Sequence, residues 1–205
     1  MSDYGKPLLE GDADPEPLRQ FAAWFEDAAR AGMRMPEAAA VASASADGAP
    51  SVRMVLVKSF DERGFVFFSH YCSRKGLELA ANPRAALLFH WDVLGRQVRI
   101  EGAVAHTSAS ESADYVRSRP RGSQLSALAS PQSQPIESRQ ALQARVAELE
   151  ARYAERELPL PEQWGGFRVE AETIEFWQQR HDRLHDRLLY RRGEDGGWLI
   201  QRLAP

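Results

Sequence analysis

The sequence predicts a mainly β protein: about eight short, mostly antiparallel strands forming a closed or split barrel, with helices inserted between them and flanking it. Three observations carry this. Segments of strand character are separated by short turn signals, Asp47-Gly48, Arg63-Gly64 and Gly196-Gly197, which suit hairpins and leave no room for parallel crossovers. From Gln97 to His106 the residues Val98, Ile100, Gly102 and Val104 alternate with Gln97, Arg99 and Glu101, so one face is buried and the other polar. Segments of helical period lie before or between the strands, with their own start and stop signals. At 205 residues, 43% hydrophobic and 27% charged, the chain has the size of one domain with a real core.

Residues 1–17 hold Gly5, Gly11, three prolines and the acids Glu10, Asp12, Asp14 and Glu16, and read as a mobile N-terminal arm; residues 18–205 read as a single domain. Leu18, Phe21, Ala22, Phe25, Ala28 and Ala29 recur at helical spacing up to Gly32. The alanine-rich run from Ala38, the Asp47-Gly48 turn and Ser51 to Lys58 form a hairpin, and Phe65 to Ser69 a third strand. Ser73 opens a short helix that Asn82-Pro83 closes, and Ala85 to Trp91 and Gln97 to His106 are the next strands. Ser108-Ala-Ser-Glu111 is a capping box for a helix to about Ser118, ended by Pro120. Leu142, Val146, Leu149 and Tyr153 mark another amphipathic helix, whose stripe reads as packing. Strands follow around Phe167 to Glu170, Thr173 to Gln178, Leu188 to Arg192 and Trp198 to Leu203.

A formal net charge of −3 argues against general nucleic-acid binding. With no signal-like apolar run and no membrane-length segment, the chain reads as cytoplasmic. Cys72, the only cysteine, permits no internal disulfide and reads as a small buried hydrophobe. Walker, Gly-x-Gly-x-x-Gly and Gly-x-Ser-x-Gly motifs are absent.

Three groups of residues invite anions. Arg74 and Lys75 at a helix start add two cations to free backbone N–H groups, the chemistry of a phosphate site; a charged turn facing water is the other reading. Tyr115, Arg119 and Ser123, four apart, would line one helix face as an oxyanion clamp, or would be a solvated helix end. Trp177 to Arg187 gathers Arg180, Arg183, Arg187, His181 and His185 behind a tryptophan, with Asp182 and Asp186 offsetting part of the charge; a solvated, salt-bridged turn is the other reading. His181 and His185 stand at helical i, i+4 spacing, but the arginines around them would repel a dication, and no metal is expected. Two separate phosphate-type sets suggest two phosphorylated ligands, with Trp177 as a flat wall for an aromatic ring.

Arg53-Met-Val-Leu-Val-Lys58, Ser73-Arg-Lys75, Arg96-Gln-Val98, Ser118-Arg-Pro-Arg-Gly-Ser-Gln124, Gln132-Ser133, Trp164-Gly-Gly-Phe167, Glu175-Phe-Trp177, Arg183-Leu-His-Asp-Arg187 and Arg202-Leu-Ala-Pro205, in this order, resemble the pyridoxamine 5′-phosphate oxidase family. The resemblance implies an antiparallel, Greek-key FMN-binding split β-barrel, a homodimer with FMN at the subunit interface. It also implies oxidation of pyridoxamine 5′-phosphate and pyridoxine 5′-phosphate by dioxygen to pyridoxal 5′-phosphate, releasing hydrogen peroxide. It carries FMN contacts onto Arg53, Met54, Val55, Leu56, Val57, Lys58, Phe68, Ser69, Arg74, Lys75, Gln97, Gln132, Ser133, Trp177 and Arg187. Substrate contacts fall on Lys58, Tyr115, Arg119, Ser123, Arg183 and His185, the last two being the candidate catalytic residues. The two phosphate sets then become one for each ligand. Phe68 stands where some relatives carry a tyrosine, and Tyr4 stands among acids where relatives carry arginines. Arg53 and Lys58, five apart, would point to opposite faces of an ideal strand, which calls for a bulge, strong twist or subunit interface. A non-catalytic FMN-binding protein and an oxidase of another aromatic metabolite are the rival readings.

Overall fold

The computed structural model describes residues 6–193 and 196–205. Its elements in chain order are α1 (Pro17–Arg30), β1 (Ala38–Ala44), β2 (Pro50–Asp61), β3 (Gly64–His70), α2 (Arg74–Ala81), β4 (Arg84–Trp91), β5 (Arg96–His106), α3 (Ala109–Ser118), α4 (Arg121–Ala129), α5 (Arg139–Arg152), β6 (Trp164–Gln178), β7 (Asp186–Arg192) and β8 (Trp198–Arg202). Every strand pairing is antiparallel. The sheet order is β3-β2-β1-β4-β5-β6-β7-β8, and β3 also pairs with β6. That last pairing closes β3-β2-β1-β4-β5-β6 into a six-stranded barrel, while β7 and β8 extend the sheet beyond β6. Three hairpin-linked strands followed by β4 returning beside β1 give the Greek-key order expected from the sequence.

The period-2 pattern explains the closure. Val41, Phe65, Phe67, Leu87, Phe89, Val98, Ile100, Phe167, Val169, Ile174 and Phe176 are all buried in one cluster inside the barrel. Helix α1 adds Phe21, whose ring meets Phe60, Phe65 and Phe89 at steep angles with centroids 4.8 to 5.0 Å apart. Edge-on contacts of this kind add about 0.5–1.5 kcal/mol each beyond the area buried. The helix stops where Gly32 turns left-handed (φ 84°), letting the N–H of Met33 reach the carbonyl of Ala28.

Strand β6 corrects the reading of two strands, around Phe167 to Glu170 and Thr173 to Gln178: it is continuous. Glu101 pairs with Thr173 and Gly102 with Ala171, so Glu172 is the extra residue of a bulge. The bend lets one half of the strand pair with β3 and the other with β7. Gly102 is required opposite it, because a Cβ there would fall 1.8 Å from the Glu170 carbonyl oxygen.

Three other expectations meet a different arrangement. Cys72 is exposed, its thiol 3.3 Å from Gln163 Oε1. Helix α5 fully buries no residue, and its stripe is only half covered. Of the stretch expected to be a mobile arm, residues 1–5, with Tyr4, lie outside the described residues. The segment that follows lies against β7 and β8: the Leu8 N–H donates to Asp186 Oδ2 (3.1 Å), Arg202 donates to Glu10 and to the Leu8 carbonyl, and the Tyr190 hydroxyl donates to the Asp14 carbonyl. Among the described residues no helix is long and apolar enough to cross a membrane.

Candidate active site: a basic cavity where β2 and β3 part

Strand β2 pairs with β1 from Pro50 to Leu56, but with β3 only from Val57 onward. A register shift between Val57 and Ser59 marks a bulge at Lys58. Beyond it β3 follows β6 instead, Phe68 opposite Gly166 and Ser69 opposite Gly165. The strands therefore splay and leave the edge of β2 from Arg53 to Leu56 unpaired on that side. A cavity of about 580 Å³ fills the gap. Its walls include Arg53, Met54, Val55, Leu56, Lys58, Phe68, Ser69, Lys75, Tyr115, Arg119 and Gln132. Arg53 and Lys58 reach the same cavity despite their odd spacing, because the bulge and the open edge give access to both faces of the strand.

Ser73 caps α2, its hydroxyl accepting from the Gly76 N–H. The cap turns Lys75 inward: its ammonium donates to Ser69 Oγ (2.9 Å) and Gln132 Oε1 (2.8 Å). Burial above all, then the charge of Arg53, brings the Lys75 pKa down to about 8, with Glu78 acting in the opposite direction. Arg74, by contrast, points outward and bonds Glu78 (2.9 Å) without lining the cavity. Glu78 is buried and also accepts from Ser43 (2.6 Å), Ser51 and Arg53 (3.2 Å). Burial is the largest influence on it and raises its pKa, yet these hydrogen bonds together hold it at about 2.

Tyr115, Arg119 and Ser123 do not share one helix face. The Pro120 ring excludes helical backbone at Arg119, which is extended (φ −76°, ψ 149°), and Ser123 belongs to α4. Tyr115 and Arg119 still line the cavity, whereas Ser123 does not. The Tyr115 ring stacks on Phe68 with centroids 3.9 Å apart, and burial raises the pKa of its phenol, partly opposed by Arg119. Arg119 Nη1 is buried and has no hydrogen-bond partner. A charged donor so placed in a cavity wall suits an anionic ligand.

Other expected contacts lie elsewhere on the chain. Gln97, Trp177 and Arg187 stand in register across β5, β6 and β7 and, with Leu88, Arg99 and Glu175, line a second cavity of about 270 Å³. Glu175, buried, pairs with Arg187 and Arg99 at 2.7 Å each. Val57 is buried in the core, and Ser133, with φ 70°, lines neither cavity.

The residues from Arg180 to His185 form a turn, so the two histidines do not stand on a helix. A single 3-10 turn spans His181–Arg183, and Asp182 and Arg183 take left-handed φ of 53° and 62°. Such backbone costs about 1–3 kcal/mol per residue, a strain typical of functional turns. Arg183 is exposed; the His185 ring lies 4.5 Å from Trp177, and its Nδ1 accepts from the Arg180 N–H (3.1 Å). In a neutral ring the proton is thereby held on Nε2, the atom left for chemistry.

His70 and Trp164 also line the first cavity, although sequence reasoning gave neither a contact role. Burial, then the charges of Lys75 and Arg119, lower the pKa of His70. Trp164 opens the Trp164-Gly-Gly-Phe167 run, its only signal in the sequence.

Known proteins resemble this chain over most of its length. Residues 25–153 match the family described as pyridoxamine 5′-phosphate oxidase, and residues 164–205 match the pyridoxine 5′-phosphate oxidase C-terminal dimerisation region. A pyridoxine/pyridoxamine 5′-phosphate oxidase from Rubrobacter xylanophilus is 58% identical over 198 residues, covering 97% of this chain and 91% of the relative. Its counterpart numbered 1 from Ralstonia nicotianae is 54% identical over 205 residues, 100% of this chain and 96% of the relative. Among solved structures, PhzG from Burkholderia lata, in complex with tetrahydrophenazine-1-carboxylic acid, superposes with a TM-score of 0.91 at 35% identity, covering 97% of this chain and 98% of that one. A pyridoxamine 5′-phosphate oxidase-related, FMN binding protein from Nostoc punctiforme shares the fold (TM-score 0.72, 16% identity, 93% and 98% covered). With both family models matched in order along a chain more than half identical to these curated relatives, the protein belongs to the pyridoxine/pyridoxamine 5′-phosphate oxidase family.

Proposed function

We propose that the protein oxidises pyridoxamine 5′-phosphate and pyridoxine 5′-phosphate to pyridoxal 5′-phosphate, with FMN as cofactor and dioxygen as acceptor. The other products are hydrogen peroxide and, from the amine, ammonia. The observation that carries this reading is one cavity lined by part of each phosphate-type set, Lys75 on one side and Tyr115 with the unpaired Arg119 Nη1 on the other. The donor set fits FMN: the free edge of β2 offers backbone groups to a planar ring system, and Lys75, Ser69, Gln132 and Arg53 offer donors and acceptors to a phosphate and a polyol chain. Bound there, FMN supplies two-electron acceptor chemistry and passes the electrons to dioxygen.

The chain's own residues bind and orient. Tyr115 and Arg119 take the substrate phosphate, Lys58 lies at the ring, and Arg183 and His185 manage position and protons at the carbon being oxidised. Since the turn bearing Arg183 and His185 lines neither cavity, and Gln97, Trp177 and Arg187 line the second, we assign them to the site of a second copy, as a homodimer would arrange. The match to a dimerisation region supports this.

The likeness to PhzG favours testing an oxidase of another aromatic compound. Purified protein incubated with FMN and pyridoxamine 5′-phosphate should release peroxide in step with pyridoxal 5′-phosphate. Flavin binding without peroxide on any pyridoxine-type substrate would instead mean a cofactor-binding protein or a different oxidase.

A further inference from the structure

We propose that Trp164 is a positioning residue for the substrate phosphate, holding the Arg119 guanidinium over its ring so that Arg119 keeps an uncommitted N–H for the ligand. This rests on the assignment of that phosphate to Tyr115 and Arg119.

The two arginines of the cavity are held in opposite ways. Arg53 is held by the Glu78 carboxylate and by Ser43 and Ser51, so much of its charge and most of its donors are already engaged. For Arg119 the described residues provide no carboxylate partner; its backbone N–H donates to the Val116 carbonyl and its carbonyl accepts from Gln124. What its guanidinium meets is the Trp164 ring, 5.1 Å from Cζ to the ring centroid. An aromatic face orients a cation without neutralising it, whereas a carboxylate would compete with the phosphate. The buried, unpartnered Nη1 is what that arrangement leaves.

Trp164 is itself firmly placed. It is buried at the start of β6, opposite His70 of β3, and lies parallel to Phe68 and Tyr115 with centroids 5.6 and 5.9 Å away. The two glycines that follow permit this. A Cβ on Gly165 would fall 1.9 Å from the Tyr71 hydroxyl, and one on Gly166 would fall 2.4 Å from Thr107 Oγ1. With no side chains there, α3 closes on the strand, where Ser112 Oγ accepts the Gly166 N–H (3.2 Å). The same closure brings Tyr115 and the end of α3 to the Trp164 ring.

The test compares Trp164→Leu, Trp164→Phe, Arg119→Ala and the Leu/Ala double variant as FMN-loaded proteins. Trp164→Leu should raise KM for pyridoxamine 5′-phosphate about 5- to 20-fold with kcat within about twofold, the range a partly desolvated cation–π contact supplies. Inhibition by inorganic phosphate should weaken in parallel, while FMN affinity, read by flavin fluorescence, stays within about twofold. Trp164→Phe should recover most of the loss, and the double variant should be no worse than Arg119→Ala alone. Should Leu unfold the protein, Trp164→Met fills the space more closely and carries the same expectation. If Arg119→Ala raises KM while the Leu and Met variants do not, or if the two effects multiply, the positioning role is overturned and the phosphate assignment stands. If Arg119→Ala leaves KM unchanged, both fall.

Discussion

Lys75 brings a buried amine into the cavity, with its pKa lowered from 10.5 to about 8 by burial first and Arg53 second. Because the folded value lies below the unfolded one, the charged amine costs the ligand-free protein stability below about pH 8, and that cost is relieved as pH rises toward 10.5. Ligand binding runs the other way, since a phosphate needs the charge. FMN affinity should therefore fall as pH rises above about 8, while Lys75→Met should bind FMN more weakly and lose that limb; fluorescence titrations from pH 6 to 10 on both proteins check this. The duplicated His-Asp-Arg units differ in the same local sense. His185 has Nδ1 fixed and Trp177 beside it, whereas His181 is exposed on the turn. His181→Ala should leave kcat/KM within a few-fold, and Arg183→Ala or His185→Ala should lower it on the order of 10²-fold, the usual scale for acid–base and positioning groups. Equal losses at both histidines would show that the assignment to the second unit is wrong.

At the scale of elements, the signals with a local cause were readable and those with a distant cause were not. Ser73, Ser108 with Glu111, and Pro120 act on their own backbone neighbours, so α2 and α3 could be bounded from the residues alone. The bulge at Glu172 depends on two partners of β6 demanding different directions, and in sequence it only interrupts the apolar pattern, so one strand reads as two. Gly102 is where that geometry is most exposed to change. Gly102→Ala should destabilise the fold by at least about 3 kcal/mol, because the new methyl meets backbone rather than a movable side chain. Ala103→Gly, beside it but without such a clash, serves as the control, and thermal unfolding of both variants measures the difference.

Across the whole molecule, the outer face of β2, β1 and β4 is apolar and uncovered. Val52, Met54 and Leu56 are 68%, 65% and 38% exposed and Leu88 37%. Their strand partners are small: Ala42 opposite Val52, Ala40 opposite Met54 and Leu88, and Ala38 opposite Leu56, so the face is flat enough for a second copy to approach. Met54→Glu should shift the particle from the proposed dimer to monomer in analytical ultracentrifugation. It should also lower flavin retention, because part of the proposed site would depart with the partner. A Met54→Glu dimer that keeps its flavin would place the interface elsewhere.

The sequence by itself determined the antiparallel barrel class, the extents of α1, α2 and α3 and the family, but not α4, because turn chemistry, caps, burial period and motif order are written in neighbouring residues. Tertiary structure alone decided how those residues combine. It splayed β2 from β3 to make one cavity out of two phosphate sets, turned Lys75 inward and Arg74 outward, and kept Ser123 from the cavity. It also put Trp164 under Arg119, a contact between residues 45 positions apart. Each of these depends on where separate strands close and which glycines let them approach, and spacing along one chain does not encode that.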